Sequence, residues 1–523
     1  MSSKTGIAER PSPARSRLFF PAWFLMSSPA LIAGPATALR LSAPWGEHMV
    51  LQSGQPSILS GSAAPGAQLE IELAGHKAGA VADGQGSWQA ALPALAPGGP
   101  YALKVVSGSE RIEFSDILAG EVWLASGQSN MEWPLSKTKD AATELPQASH
   151  PRLRLFNAAH TTDSLQGSWS VSDPDSAANF SAVAWHFGAG LQKRLKVPVG
   201  LIASCWSGTN GETWTPSEAV SPAIQARWAA RPEAEKQMYR KGWDFHLQFK
   251  DLTLVLQDGS RHPMNLMPWA CFQAEGSVSR CEAGHYFGNL KPGAWGAAHA
   301  ALSADLLPQD LRQAAAIEFK AKGNSSFDLA LGQPSIQDGD NYCLPLFKCD
   351  KTLRSFRFEL KDLKQQGWGL GRPLTLDKIE GILFRVHAPN QFPDQPGLLF
   401  DSMIRPLKGM KIKGAIWYQG ESNVERSGEY AGLLQSLVKG WRKALDLPDL
   451  DFIVVQLPEF GGADQNSLTA LRAAQERILE LPHTGLVKTI GLGDWNDIHP
   501  KDKKPVGKLL AQEAMDKFYK VKN

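Results

Sequence analysis

Apolar segments that end in polar turns recur from residue 116 onward, and this alternation constrains the fold more than any other feature. Helical periodicity fills two of the gaps, over 430–444 and 467–480. Buried strands joined by helices predict a doubly wound parallel sheet of the α/β class. Ligands of such sheets gather at the carboxyl ends of the strands, so we expect the polar turns to share one edge. The predicted strands are 117–125, 197–204, 412–418, 451–457 and 486–492.

The first of these strands runs into Gly127-Gln128-Ser129-Asn130-Met131. A turn of small residues after an apolar strand lifts a hydroxyl out of the sheet edge, with the N-terminus of the next helix behind it. The alternative is a serine that only caps that helix. A serine nucleophile needs a base and an oxyanion hole, so the other turns decide between the two interpretations.

His499 is the candidate base, because it follows the last predicted strand and shares the edge predicted for Ser129. Two carboxylates precede it, Asp494 and Asp497. Residues two apart in an extended segment project to the same side, which favours Asp497 as the acid that orients the imidazole.

The candidate oxyanion donors are the backbone N–H groups of Ser129 and Gly208 together with a side-chain amide of Gln419 or Asn423. Each has an ordinary structural alternative, since Gly208 suits a turn and Asn423 suits a helix cap.

Two further regions, one before the α/β pattern and one inserted into it, are predicted to be all-β. Short alternating runs separated by Gly and Pro turns over 39–115 favour a small β-sandwich. A second series of β-like runs interrupts the α/β pattern over 241–395 and favours an inserted jelly roll. Local disulfides Cys271–Cys281 and Cys343–Cys349 are possible there, although four cysteines allow three pairings. The predicted division of the chain is 1–38, 39–115, 116–240, 241–395 and 396–523.

The first segment has the layout of a secretory signal: arginines, an apolar run over 18–33, then Ala36-Thr37-Ala38. We therefore expect export to the periplasm or the medium, with no membrane partner after cleavage. A net charge of +2, mixed along the chain, argues against a nucleic-acid partner.

Three motifs lie at residues 127–131, 417–423 and 497–500. Together they resemble the sialate O-acetylesterase-like group of SGNH hydrolases, which implies a flavodoxin-like sheet. The insert over 241–395 is similar to the jelly roll of acetyl-xyloglucan esterases in this group. The resemblance implies that O-acetyl groups are removed from plant oligosaccharides, with xyloglucan fragments favoured, through an acetyl-enzyme, without metal or cofactor.

The resemblance also implies roles: Ser129 as nucleophile, His499 as base and then acid, and Asp497 as the orienting acid. Many SGNH enzymes carry the acid where this chain has Asn496, so Asp494, or a dyad without an acid, stays open.

Sugar rings stack on aromatic side chains. We therefore expect the acetylated sugar to stack on Trp206 and Trp214, which follow the catalytic turns, although packing between domains is the alternative role for these tryptophans. Glu421, in the turn after the third predicted strand, is a further candidate sugar contact. The alternatives to a plant-polysaccharide acetylesterase are a sialate O-acetylesterase and a non-catalytic, secreted carbohydrate-binding protein.

Overall fold

The structure is a computed structural model that describes residues 38–231, 236, 243–264, 270–273, 277–282, 284–290, 295–301, 312–336, 341–344, 347–365, 373–387 and 394–519. The predicted signal segment lies outside the described residues except for Ala38. Within the described part, no helix has the length and apolarity needed to cross a membrane.

The elements follow one another in three groups. The first comprises β1 Arg40–Leu41, β2 Val50–Gln52, β3 Ser57–Ser62, β4 Gln68–Leu73, β5 His76–Val81, β6 Ser87–Leu92, β7 Gly98–Ser107, β8 Glu110–Gly127, α1 Ser129–Glu132, α2 Ala141–Glu144, β9 His150–Ala158, β10 Gly167–Ser172, α3 Pro174–Ala178, α4 Ala182–Leu195, β11 Val199–Cys205 and α5 Pro222–Ala229. The second comprises β12 Trp243–Leu256, β13 Arg261–Pro263, β14 Ala270–Gln273, β15 Val278–Glu282, β16 His285–Leu290, β17 Trp295–Ala301, β18 Ala314–Gly323, β19 Ser326–Gly332, β20 Phe347–Lys348, β21 Arg354–Glu359 and β22 Gly381–His387. The third comprises β23 Gly414–Tyr418, α6 Ser427–Leu445, β24 Asp451–Val455, α7 Gln465–Glu476, β25 Thr484–Val487 and α8 Lys504–Phe518.

A mixed sheet forms the centre of the α/β part, with strand order β10-β9-β11-β8-β23-β24-β25. All neighbours from β9 to β25 are parallel, and β10 is an antiparallel edge. Of the five strands predicted from the sequence, the second (β11) lies beside the first (β8), and β23, β24 and β25 follow on the other side of β8. This is the flavodoxin-like order, to which β9 and β10 are added at the edge beyond β11. The chain thus places β9, β10 and β11 on one side of β8 and then switches to the other. The ends of β11, β8 and β23 meet at this switch point, where doubly wound sheets bind ligands.

The N-terminal strands join the central sheet through β8, and their pairings are antiparallel except for β2, which pairs with β8 in parallel. One sheet has the order β1-β3-β6, while β5, β4 and β7 form a ladder that continues into the first half of β8. The second half of β8 then pairs in parallel with β11 and β23. The division predicted between residues 115 and 116 therefore falls inside one continuous strand.

The described residues of the insert over 241–395 form two antiparallel sheets, a six-stranded one built around β12 and β18 and a five-stranded one built around β17 and β22. Its apolar side chains form a cluster separate from the main core. Cys281 is disulfide-bonded, but Cys343 and Cys349 carry thiols, so the suggested Cys343–Cys349 pairing is not formed.

Candidate active site

Ser129 stands at the first position of α1, directly past the end of β8. The turn requires glycine at 127, where φ is +139° and a Cβ atom would lie 2.1 Å from the carbonyl oxygen of Tyr418 on β23. Ser129 is half-buried and lines a cavity of about 850 Å³ together with Gly208, Glu421 and His499. The predicted gathering of polar turns at one sheet edge thus places these residues around one cavity.

The side chain of Gln128 fixes the turn beside Ser129. Its buried amide oxygen accepts hydrogen bonds from the Gln419 amide at 3.2 Å and from the N–H groups of Gly420 at 3.4 Å and Ser422 at 3.2 Å. Hydrogen bonds therefore connect the turn after β8 with the turn after β23, and this network fixes the position of Ser129.

A second wall of the cavity is built around Glu132. One carboxylate oxygen accepts from the N–H and the hydroxyl of Ser207, at 2.6 and 2.5 Å, and the other lies 2.8 Å from Nε2 of His160. Burial raises the pKa of Glu132, but the bonds from His160 and Ser207 outweigh this and hold the pKa below its usual value. The turn that carries Gly208 is therefore tied to α1 by a charged group.

His499 lines the same cavity and has two neighbours that orient it. Its ring stacks on Trp133, with centroids 5.2 Å apart and planes 23° apart. Asp497 accepts a hydrogen bond from the backbone N–H of His499 at 2.8 Å, and its Oδ1 lies 3.9 Å from Nδ1. Asp494 instead caps the N–H of Asn496 at 2.9 Å. Of the two candidate acids, Asp497 is thus the one that contacts the histidine.

Burial lowers the pKa of His499, the charge of Lys503 lowers it further, and Asp497 opposes both. The imidazole therefore stays neutral to a lower pH than a free histidine, which is the form that can accept a proton. Among the described residues Ser129 and His499 share no hydrogen bond, although both border the cavity.

The structure places the two amide candidates for the oxyanion hole away from the cavity lining. The Gln419 amide donates to Gln128, Thr209 and Asn423, and its oxygen accepts from Tyr430. The amide of Asn423 is bonded in turn to Gly211 and Glu212. Both side chains are almost fully buried. They brace the turns, and the backbones of Ser129 and Gly208 remain as the candidate donors that border the cavity.

The three predicted substrate contacts fall in three environments. Trp214 is fully buried, bonded to Thr209 at 2.8 Å, and so is a core residue that no sugar can reach. Trp206 is half-buried and stacks on the cavity-lining His160, with centroids 4.4 Å apart. Glu421 lines the cavity and accepts from Asn130 at 2.5 Å, and burial raises its pKa.

Sequence reasoning missed Glu132, His160 and Lys503. Glu132 lies three residues after Ser129, a helical spacing that could have marked it. His160 carries no local signal, because the packing of distant segments brings it to the site. Lys503 follows His499 by four residues, but its contact with Asn130 is long-range. Among the described residues, no group of three or more His, Cys, Asp or Glu side chains is arranged to hold a metal ion.

Comparison with known families gives one match to a family profile. Residues 390–516 match the family described as "Carbohydrate esterase, sialic acid-specific acetylesterase". This segment includes β23, the Glu421 turn and His499, but not Ser129. The similarity thus covers the second half of the sheet and the histidine side of the candidate site.

Curated relatives show a similar partial match. Sialate O-acetylesterase of Mus musculus is 32% identical over 194 residues, which is 32% of this chain and 36% of the mouse protein. The Homo sapiens protein of that name is 31% identical over 198 residues, 33% of this chain and 38% of the human one. The matches therefore span less than two fifths of these relatives.

Among solved structures, a carbohydrate acetylesterase from Xanthomonas citri superimposes with a TM-score of 0.58 at 23% identity. The alignment covers 93% of this chain and 77% of that one. At this identity the likeness shows the fold alone, and it extends over nearly the whole chain.

Proposed function

We propose that this protein is a carbohydrate O-acetylesterase that uses Ser129 as nucleophile. The observation that carries the proposal is the cavity at the strand switch point, which is lined by both Ser129 and a histidine whose pKa is lowered. The similarity of residues 390–516 to carbohydrate esterases supports it independently of the Ser129 motif.

In the proposed reaction the Ser129 hydroxyl attacks the acetyl carbon while His499 takes the hydroxyl proton. The sugar oxygen then leaves with the proton that His499 returns, and an acetyl-enzyme remains. Water, deprotonated by His499, hydrolyses that ester and releases acetate. The Ser129–His499 hydrogen bond has to form when substrate binds, as catalytic bonds often tighten only in the complex.

Two pairs of residues complete the proposed site: one pair orients His499, and the other forms the oxyanion hole. Asp497 stabilises the imidazolium from 3.9 Å, and Trp133 holds the ring plane. The backbone N–H groups of Ser129 and Gly208 are the proposed oxyanion donors, since both residues border the cavity.

The sugar specificity is proposed from the size and the lining of the cavity. Acetyl is small, so the remainder of the roughly 850 Å³ cavity is available for a sugar. Trp206, stacked on His160, and Glu421 are the proposed sugar contacts. The resemblance of the insert to the jelly roll of acetyl-xyloglucan esterases favours a plant oligosaccharide such as acetylated xyloglucan. We also propose that the protein acts after export to the periplasm or the medium. The curated relatives favour sialic acid as the second candidate substrate.

Acetate release from a panel of acetylated glycans tests the proposal. The panel holds xyloglucan oligosaccharides, xylan, pectin fragments and O-acetylated sialic acid, each treated with wild type and with Ser129→Ala. We expect release from one plant class, abolished by the substitution. Release from sialic acid alone would select the second candidate, and release from none would leave a carbohydrate-binding protein without catalysis.

A further inference from the structure

A lysine ammonium lies buried behind the candidate catalytic residues. Lys503, four residues after His499, has 1% of its surface exposed. Its Nζ donates to Oδ1 of Asn130 at 2.5 Å and lies 5.7 and 5.9 Å from the ring centroids of Trp133 and Tyr418. Burying a cation costs free energy unless its surroundings compensate, so a lysine here calls for a physical reason.

Asn130 connects this lysine to both catalytic segments. Its Nδ2 donates to Oε1 of Glu421 at 2.5 Å and to the carbonyl oxygen of Ile498 at 3.0 Å. Asn130 directly follows Ser129, and Ile498 directly precedes His499. One buried amide therefore joins the turn after β8, the turn after β23 and the histidine segment.

We propose that Lys503 is a positioning residue of the hydrolytic site: through Asn130 it fixes the Ser129 turn against the His499 segment, and its charge acts on the His499 ring. This inference rests on the proposed function and adds a residue that none of the sequence motifs assigns. Lys503 itself does not line the cavity, so it acts through its neighbours.

The charges around the two groups favour this arrangement. The charged groups that act on the His499 ring are Lys503 and Asp497, and those that act on Lys503 are Glu421 and Asp497. Burial lowers the pKa of Lys503 to about 7, and the two carboxylates only partly oppose this. Lys503 is thus still charged at the acidic pH where His499 takes up its proton, and the repulsion keeps the imidazole neutral.

A histidine NMR titration tests the electrostatic half of the proposal without relying on activity. The protein is labelled at its 12 histidines, and the His499 signal is assigned by its loss in His499→Gln. We expect Lys503→Met to raise the His499 midpoint by about half to one pH unit. The matched control Lys501→Met removes a charge from an exposed residue of the same segment and should leave the midpoint unchanged.

Covalent labelling of Ser129 by a fluorophosphonate tests the positioning half. Asn130→Ala removes the hydrogen bonds that join the Ser129 turn to the His499 segment but keeps the lysine. We expect the labelling rate to fall about tenfold or more at every pH, because small misplacements of catalytic groups lower reaction rates strongly. The pH midpoint of labelling should stay that of wild type, whereas in Lys503→Met it should move upward. A role limited to stability would not move that midpoint.

An unchanged His499 midpoint in folded Lys503→Met would overturn the electrostatic half. Wild-type labelling rates in Asn130→Ala would overturn the positioning half. If Lys503→Met does not fold, Lys503→Gln, which keeps a donor for Asn130 but no charge, takes its place. Absence of labelling in wild type itself would refute the proposed function, and the NMR comparison would still decide whether the lysine acts on His499.

Discussion

Two nearly identical tetrapeptides end two neighbouring strands and carry out different tasks. Gly127-Gln128-Ser129-Asn130 follows β8, and Gly420-Glu421-Ser422-Asn423 follows β23, its parallel neighbour. Both begin with a glycine at positive φ, +139° and +155°, and both end in a buried asparagine. The sequences of the two tetrapeptides alone do not distinguish Ser129 from Ser422 as the nucleophile.

The surroundings of the two serines separate them. The Ser422 hydroxyl donates to the carbonyl oxygen of Gly208 at 3.0 Å, so it braces the neighbouring turn. Among the described residues the Ser129 hydroxyl forms no hydrogen bond, and it opens a helix beside the cavity. The comparison teaches that the role of a short motif is set by what its neighbours leave unpaired.

The largest expected effect separates the two serines directly. Ser129→Ala should lower kcat/KM by about 10⁴-fold or more, as loss of a triad nucleophile does. Ser422→Ala removes one partly buried hydrogen bond and should lower kcat/KM at most about tenfold. Steady-state kinetics on an aryl acetate measure both, and comparable losses would break the distinction.

Substitution of the two glycines should lower the free energy of unfolding by different amounts. A Cβ atom at 127 would meet the Tyr418 backbone at 2.1 Å, whereas at 420 it would first meet the Leu471 side chain at 2.8 Å. Backbone cannot yield as a side chain can, so Gly127→Ala should cost about 4 kcal/mol and Gly420→Ala about 2 kcal/mol. Urea denaturation measures both free energies of unfolding. Equal costs would mean that the two turns are equally tolerant.

Asp497, the carboxylate beside His499, should be needed for the activity that depends on Ser129. Asp497→Asn keeps an acceptor for the His499 N–H but removes the charge that raises the histidine pKa. We expect kcat/KM to fall about 10- to 100-fold, and the acid limb of its pH profile to move to lower pH. Asp494→Asn is the matched control and should behave as wild type. The opposite ranking would reassign the acid.

The last prediction concerns the asparagine of each tetrapeptide, because of the two only Asn130 accepts a hydrogen bond from the buried ammonium group of Lys503. The pKa of Lys503 is lowered to about 7 in the folded protein, so between that pH and the usual value of 10.5 the unfolded chain binds more protons. Stability of wild type should therefore rise with pH across this window. Lys503→Met lacks this rise, so the gap in stability between Lys503→Met and wild type should favour the variant most near pH 7 and should shrink by several kcal/mol towards pH 10, since each unit of pKa shift corresponds to about 1.4 kcal/mol. Urea unfolding at several pH values measures the gap, and a gap constant with pH would contradict a buried charge.

Much of the fold could be predicted, because strand and helix periodicity is local. The predicted strand 412–418 is observed as Gly414–Tyr418, and the predicted helix 430–444 lies within Ser427–Leu445. Sequence reasoning does not find strand β9, although Arg152-Leu153-Arg154-Leu155 alternates charged and apolar residues; in the structure Arg154 is buried and pairs with Asp116. The position of β11 between β8 and β9 is a long-range choice that no local pattern contains.

The candidate site was predictable where it lies on turns after strands, as Ser129, Gly208 and His499 do. The orientation of the side-chain amides in the site could not be predicted from the sequence. Gln419 and Asn423 have the chemistry of oxyanion donors, yet each satisfies its hydrogen bonds within the buried turns. Trp214 follows a catalytic turn but packs into the core against Trp417, because its segment turns inward.

The most direct test of the account is to map the residue that a fluorophosphonate modifies. Wild-type protein is labelled at neutral pH and digested, and the peptides that contain Ser129 and Ser422 are compared by mass spectrometry. The account predicts the phosphonyl adduct on Ser129, no adduct on Ser422, and no adduct on either in Ser129→Ala. An adduct on Ser422, or none on either serine, would contradict it.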